Sequence, residues 1–375
     1  MIPMAEVEQV LTAELEAPPA KQTQAHQPRK LVEIIRSQLD ALRNYHVAVL
    51  DTEAVEAVHK MRVTTRRLQA SLDLLEREMK VRRQKGRLRK WRRKLSLVRN
   101  YDVFLELIEQ ETPVWGRARR EQLQLVKTIL QERRLKKAAK VRQFLEGIDI
   151  DAIASGLGFD IASTCETTDG TLVTEGAPNG APAAETSPKA LAVDEQRVAA
   201  YAAERLDQRF AEFQALAALS HPTNDPTELH QLRIAAKRVR YLLEIVSEMG
   251  YGDVRRALVW LRTLQDRIGD WHDLEALEGE IIAIVSNPEF MKQHLGESSQ
   301  MLQAAAHLQK KKEALVSRLF PVRVPRHLEI TSQRIARALR RRPQRDKNRA
   351  GSATDSQRTT EELAPEVSLA HAPQS

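Results

Sequence analysis

From Arg29 onward the apolar residues recur at intervals of three and four. Leu31, Ile34, Ile35, Leu39 and Leu42 share one side of a helix, and Met61, Leu68, Leu72, Leu75 and Met79 repeat the spacing. So do Trp91, Leu95, Val98 and Leu105, then Leu123, Val126, Leu130 and Phe144. No stretch alternates with the period of two that a half-buried strand needs. The pattern predicts an all-α chain of long helices with short connections, the ingredients of helical bundles. "NDPTELHQLR" marks one helix start: Asp225 can cap, Pro226 suits the first helical position, and Glu228 follows three residues after the cap. Near Val58 that signal is missing, because Ala54 stands where Asp225 does, so the helix there is expected to begin a turn earlier, near Asp51.

Periodicity fails in three places. Residues 1–27 end in "APPAKQTQAHQP", roughly 147–192 contain "GAPNGAPAAETSPKA", and 341–375 have almost no core-forming residues. These are expected to be an unstructured N-terminal segment, an acidic flexible linker and an unstructured tail. They divide the chain into helical regions at 28–146 and 193–340.

The two regions repeat one another. At an offset of 171, His59, Arg62, Arg66 and Arg67 of "VHKMRVTTRRLQASLDLL" fall on His230, Arg233, Lys237 and Arg238 of "LHQLRIAAKRVRYLLEIV". The apolar positions Val58, Met61, Val63, Leu68 and Leu72 fall on Leu229, Leu232, Ile234, Val239 and Leu243. An internal duplication, each half about four helices, is the expectation. At about 100° per residue, Arg62 and Arg66 lie within roughly 60° of His59, while Met61, Leu68, Leu72, Leu75 and Met79 cluster on the opposite side. The next helix carries a second strip, Arg89, Arg92, Ser96 and Arg99, with Arg262, Gln265, Gly269 and His272 in similar places further on. Asp102 interrupts an apolar seam and is expected to be a buried acceptor for an arginine of a neighbouring helix.

Like charges on one helix face repel, so such strips gain nothing in stability unless an anion meets them. Composition points the same way. The net charge is +8, and Gly147–Ala192 holds seven acidic residues and one lysine, which leaves a surplus of +14 on the rest. That implies a polyanionic partner: nucleic acid, an anionic membrane surface or polymeric phosphate. Aromatics make up only 4%, which disfavours recognition by stacked bases. Arginine suits phosphate because its planar fork donates two hydrogen bonds and keeps its charge; histidine adds a donor whose charge follows pH. Cys165 is the only cysteine, so no disulfide or thiolate cluster can form within the chain. The N-terminus lacks a signal-peptide pattern and no apolar run reaches about 18 residues, so a soluble cytoplasmic protein without a membrane span is expected. Neither motif has a second histidine at helical spacing, so neither a metal nor another cofactor is expected. "EREMK", Glu76–Lys80, has the letters of a triphosphate-tunnel signature, but it is expected to continue a helix, where its three groups diverge.

The motifs "VHKMRVTTRRL" and "LHQLRIAAKRVRYLLE", with "LVRNYDV" and "LQDRIGDWHD", resemble the CHAD family, the conserved histidine α-helical domain. The resemblance covers roughly 28–146 and 193–340. It implies two four-helix bundles related by a pseudo-twofold, with their basic faces on a shared cavity, and non-enzymatic binding of inorganic polyphosphate. It also implies residence on polyphosphate granules, with granule proteins as partners. On this chain the implied cavity residues are His59, Arg62, Arg66 and Arg67, with His230, Arg233, Lys237, Arg238 and Arg240; Arg92 and Arg99 join them from the second strip. Two positions depart from the family pattern: Gln69 replaces the basic residue that Arg240 represents in the second half, and Asn100 stands where an aspartate is usual. Two other readings remain open. One is non-specific nucleic-acid binding by "VRRQKGRLRKWRRK" and "RIARALRRRPQR". The other is histidine phosphotransfer at His59/Arg62 or His230/Arg233.

Overall fold

The three-and-four spacing becomes helix except at Leu75 and Met79, which fall in the turn after the second helix. The structure, a computed structural model, describes residues 29–52, 55–111, 117–158, 193–219 and 226–341, and among these no strand occurs. The first half contributes α1 (Leu31–Thr52), α2 (Val55–Leu74), α3 (Arg82–Glu111), α4 (Arg117–Glu146) and the single turn α5 (Asp151–Ser155). The second contributes α6 (Glu195–Leu219), α7 (Pro226–Glu248), α8 (Arg255–Val285), the short α9 (Pro288–Gln293), α10 (Leu295–Leu319) and α11 (Arg326–Arg340). Leu31, Ile34, Ile35, Leu39 and Leu42, the seam of α1, are all essentially removed from solvent, as are Met61, Leu68, Leu72 and Leu75. After α7 the chain reverses through Gly250 (φ 86°) and Gly252 (φ 117°), left-handed conformations that glycine adopts without strain.

α2 and α7 are described from Val55 and Pro226; residues 53–54 and 220–225, which precede them, lie outside the described residues. The expected early start near Asp51 is corrected because Asp51 belongs to the last turn of α1; the proposed cap Asp225 lies outside the described residues. Between the two halves, α2 packs on α7, α3 on α8 and α4 on α10. Sequence halves do not partition the apolar core, however. One cluster joins α1, α2 and the start of α3 to α6, α7, α11 and the start of α8; a second joins the ends of α3 and α8 to α4 and α10. α11 buries Leu328, Ile335, Ala336 and Leu339, packing mainly on α6.

Two further expectations change. The linker does not begin at 147, because Ile150, Ile153, Ala154 and Leu157 are buried and Gln84 Nε2 donates to the carbonyl of Gly156 at 2.8 Å. Most of the remaining linker, and nearly all of the two terminal segments expected to be unstructured, lie outside the described residues. "EREMK" does not continue a helix: α2 stops at Leu74, and Glu76–Lys80 forms the turn into α3. It is no strand either, so its alternate side chains do not share a face.

Candidate functional site

α2 can hold its cationic strip rigidly because its opposite side is fully consumed by the core. The β-branched pair Thr64 and Thr65 sits buried in mid-helix, and each hydroxyl donates to a carbonyl of its own helix, Lys60 O at 2.9 Å and Arg62 O at 2.8 Å. The strip therefore points away from that core, as does its counterpart on α7. The two strips face a common cavity of about 780 Å³ together with residues of α3 and α8.

Of the sequence-derived candidates, His59, Arg62, Arg66, Arg92, Arg99, His230, Arg233, Lys237 and Arg238 line this cavity. Arg67 and Arg240 do not. Glu244 accounts for both, lying 3.7 Å from Arg67 and 3.9 Å from Arg240, with Arg262 also within 3.4 Å. Arg240 in addition stacks over Tyr241, its guanidinium carbon 4.8 Å from the ring centroid. Sequence reasoning missed Gln69, Asp73, Asn100, Arg209, Tyr241 and Asp273, all on the cavity wall. The signal for two of them was present: continued for two more turns at about 100° per residue, the His59 strip passes through Gln69 and Asp73. Gln69 accepts from Arg92 Nη1 at 2.7 Å, so the glutamine that departs from the family pattern aims a cation into the cavity.

Asp73 and Glu244 are also 171 residues apart, and each gathers cations across the boundary between halves. Asp73 takes Lys85 at 2.6 Å and the buried Arg209, from α6, at 3.0 Å. Glu244 takes Arg67, from α2. On α3 the second strip contributes Arg89, Arg92, Ser96 and Arg99, whereas on α8 only His272 of the equivalent four reaches the wall. Arg262 is paired with Glu244, and Gln265 is buried. Asp102 does accept from an arginine of a neighbouring helix, Arg134 Nε at 2.6 Å, but that arginine lies outside the cavity. The second half repeats the device with Lys312 held between Glu275 and Glu278.

Nine arginine and lysine side chains thus meet two carboxylates on one wall. Some are already committed: Arg99 to Glu106 at 3.0 Å and Arg238 to Glu212 at 2.9 Å. Among the described residues Arg62, Arg66, Arg233 and Lys237 have no ion-pair partner within 4 Å, and the Nε atoms of Arg62 and Arg233 are buried without an acceptor. Asp273 is the carboxylate that partly offsets Arg62 and Arg233. Burial, reinforced by Arg233, Arg66, Arg240 and Arg62, pushes the Lys237 ammonium down to about 6. Burial, with Arg66 and Arg99, brings Arg62 down to about 10, still charged at neutral pH. His59 is lowered by burial and then by Arg99; His230 by burial and then by His272, whose ring stacks on it at 6.1 Å. Such a cluster is electrostatically unfinished. Among the described residues no group of three or more His, Cys, Asp or Glu is placed to hold a metal ion, and no helix is long and apolar enough to cross a membrane.

Residues 33–281, a span that contains every wall residue of the cavity, match the family model of the CHAD domain. The chain belongs to the CHAD domain family. Two solved structures are similar to it. The crystal structure of the CHAD domain from the plant Ricinus communis matches with TM-score 0.51 at 21% identity, covering 85% of this chain and 96% of that one. PptA from Streptomyces chartreusis matches with TM-score 0.48 at 16% identity, covering 83% and 98%. Comparison with curated protein sequences gives no match. At such identity the plant CHAD domain shows the fold alone. The family match ends inside α8, so α9, α10 and α11 lie beyond it.

Proposed function

We propose that this CHAD domain binds inorganic polyphosphate in the cavity between its two halves, without chemically transforming it. The observation that carries the reading is the unpaired quartet Arg62, Arg66, Arg233 and Lys237, two from each half, facing one volume of about 780 Å³. Burying the like charges of the three arginines without partners costs stability, and a ligand that supplies many closely spaced oxyanions removes that cost and restores the charge that burial takes from Lys237. Polyphosphate offers charge at every repeat and no bases to read, which suits a wall of cations with little aromatic surface. Tyr241 and Phe104 are the aromatic rings on that wall. Forked arginine donors match phosphate oxygens in pairs, and the histidines add short-range donors at each end. Residence on polyphosphate granules follows if the ligand there is the same polymer.

Nucleic acid is the natural competitor, since its backbone offers similar charge. The described part of the tract "RIARALRRRPQR", residues 334–341, is poorly placed for it: its apolar residues pack into the core through α11, while Arg340 pairs with Asp207 and Arg334 donates to the carbonyl of Asp253. Filter binding with labelled polyphosphate tests the reading directly. Arg62→Ala, Arg66→Ala, Arg233→Ala and Lys237→Ala together should abolish retention, and duplex DNA at equal phosphate concentration and fixed ionic strength should fail to compete. Retention by the quadruple variant at wild-type affinity would sink the proposal.

A further inference from the structure

Helix α3 carries cations on two sides, and the cavity uses only one of them. Arg89, Arg92, Ser96 and Arg99 face the cavity. On the other side, Lys90 and Lys94 lie 5.6 and 5.7 Å from the ring centroid of Phe144 on α4, and Tyr101 opens onto a shallow groove of about 320 Å³. The groove's other walls are Arg133, Lys136, Lys137 and Lys140 of α4, at the i, i+3, i+4 and i+7 positions of one helical face. Glu280 neutralises one end by accepting from Arg133 at 2.6 Å and from the Tyr101 hydroxyl at 3.1 Å. Among the described residues Lys136, Lys137 and Lys140 have no ion pair within 4 Å. Between Arg133 and Lys140 the sequence "RRLKKAAK" contains no carboxylate at all. A merely solvated helix face gains from interspersed acids; this one meets only Glu280, at Arg133, and Glu132, one turn before Lys136.

We propose that this groove is a second polyphosphate subsite, onto which a chain seated in the cavity continues by passing over α3. The inference rests on the polyphosphate reading of the cavity. Its geometric basis is adjacency: Asn100 lines the cavity and Tyr101 the groove, so the two sites are separated by one helix, about 10–12 Å across. A long flexible polyanion spans that distance, whereas a short one fills the cavity alone. The second contact is then intramolecular, so the groove adds affinity for long chains only.

The experiment compares wild type with Lys136→Gln/Lys137→Gln/Lys140→Gln, using polyphosphate of about 100 units and of about 10 units as probes. The three lysines are exposed or half-buried, and circular dichroism with a thermal melt checks that the variant folds as the parent does. The expected result is a loss of at least about tenfold in affinity for the long chain, with short-chain affinity unchanged within about twofold. The salt dependence of long-chain binding should also become shallower. An unchanged long-chain Kd would overturn the subsite and leave the cavity reading standing. Equal losses for both lengths would also overturn it, because they would report general attraction. If the short chain binds neither wild type nor variant, the cavity reading fails, and the subsite with it.

Discussion

Lys237 makes the charge argument quantitative. Its ammonium lies among Arg233 and Arg240 of its own helix and Arg62 and Arg66 of α2, and burial with these neighbours lowers it to about 6. At pH 7 the empty cavity therefore holds Lys237 protonated in only about one molecule in ten. Phosphate oxygens restore the ammonium to its ordinary range, so binding at pH 7 takes up about 0.9 proton at this residue. From this group alone, affinity should fall about fiftyfold between pH 6 and pH 8. The stability of the empty protein runs in the opposite direction. Between pH about 6 and the ordinary lysine value of 10.5 the unfolded chain binds more protons than the folded one, so stability rises with pH across that window and the gain is absent below it. Titration calorimetry with short polyphosphate in two buffers of different ionisation enthalpy counts the protons. Lys237→Met should still fold and should lose about 0.9 of the uptake, the remainder belonging to His59 and His230, which are also lowered in the empty site. A buffer-independent enthalpy for wild type, or identical uptake by Lys237→Met, would refute the account.

The remaining expectations separate cavity cations from structural ones. Arg67→Ala and Arg240→Ala, whose side chains are drawn to Glu244, should each change polyphosphate affinity by no more than about twofold, since surface or peripheral pairs contribute little. Arg62→Gln should lower the slope of log K against log salt by about one, read from binding isotherms at several ionic strengths. Asp102→Ala strands Arg134 in a mostly buried position and should destabilise the fold by about 3 kcal/mol in urea unfolding, with polyphosphate binding to the folded fraction unchanged. Gln69→Ala frees Arg92 from its acceptor and should weaken binding by a few-fold without shifting the urea midpoint by more than the loss of one hydrogen bond, about 1 kcal/mol.

Periodicity alone determined that this chain is helical, that its seams at Leu31–Leu42 and Met61–Leu75 go inward, and that the cationic strips of α2 and α7 point elsewhere. These follow from the 3.6-residue turn, which fixes the face of every side chain once a helix is granted. The spacing of the two motifs set which of their residues share the cavity-facing strip of each helix, His59, Arg62 and Arg66 on α2 and His230, Arg233 and Lys237 on α7. Pairing across the chain was not legible, because it depends on which faces of distant helices meet. Arg67 and Arg240 share the composition and spacing of their neighbours, yet neither lines the cavity: the packing of α2 on α7 brings Glu244 to Arg67, while Arg240 meets the same carboxylate as an i,i+4 neighbour on α7. Asp73 reads as an ordinary acid in "SLDLLE" until α6 delivers Arg209 to it. Packing likewise ordered Ile148–Leu157, whose few apolar residues show no period but find a surface on α1 and α3. Helix faces are thus a local property of the sequence; which charges are left unpaired is decided only when the two halves close on each other, since an ion pair depends on distance in space and not along the chain.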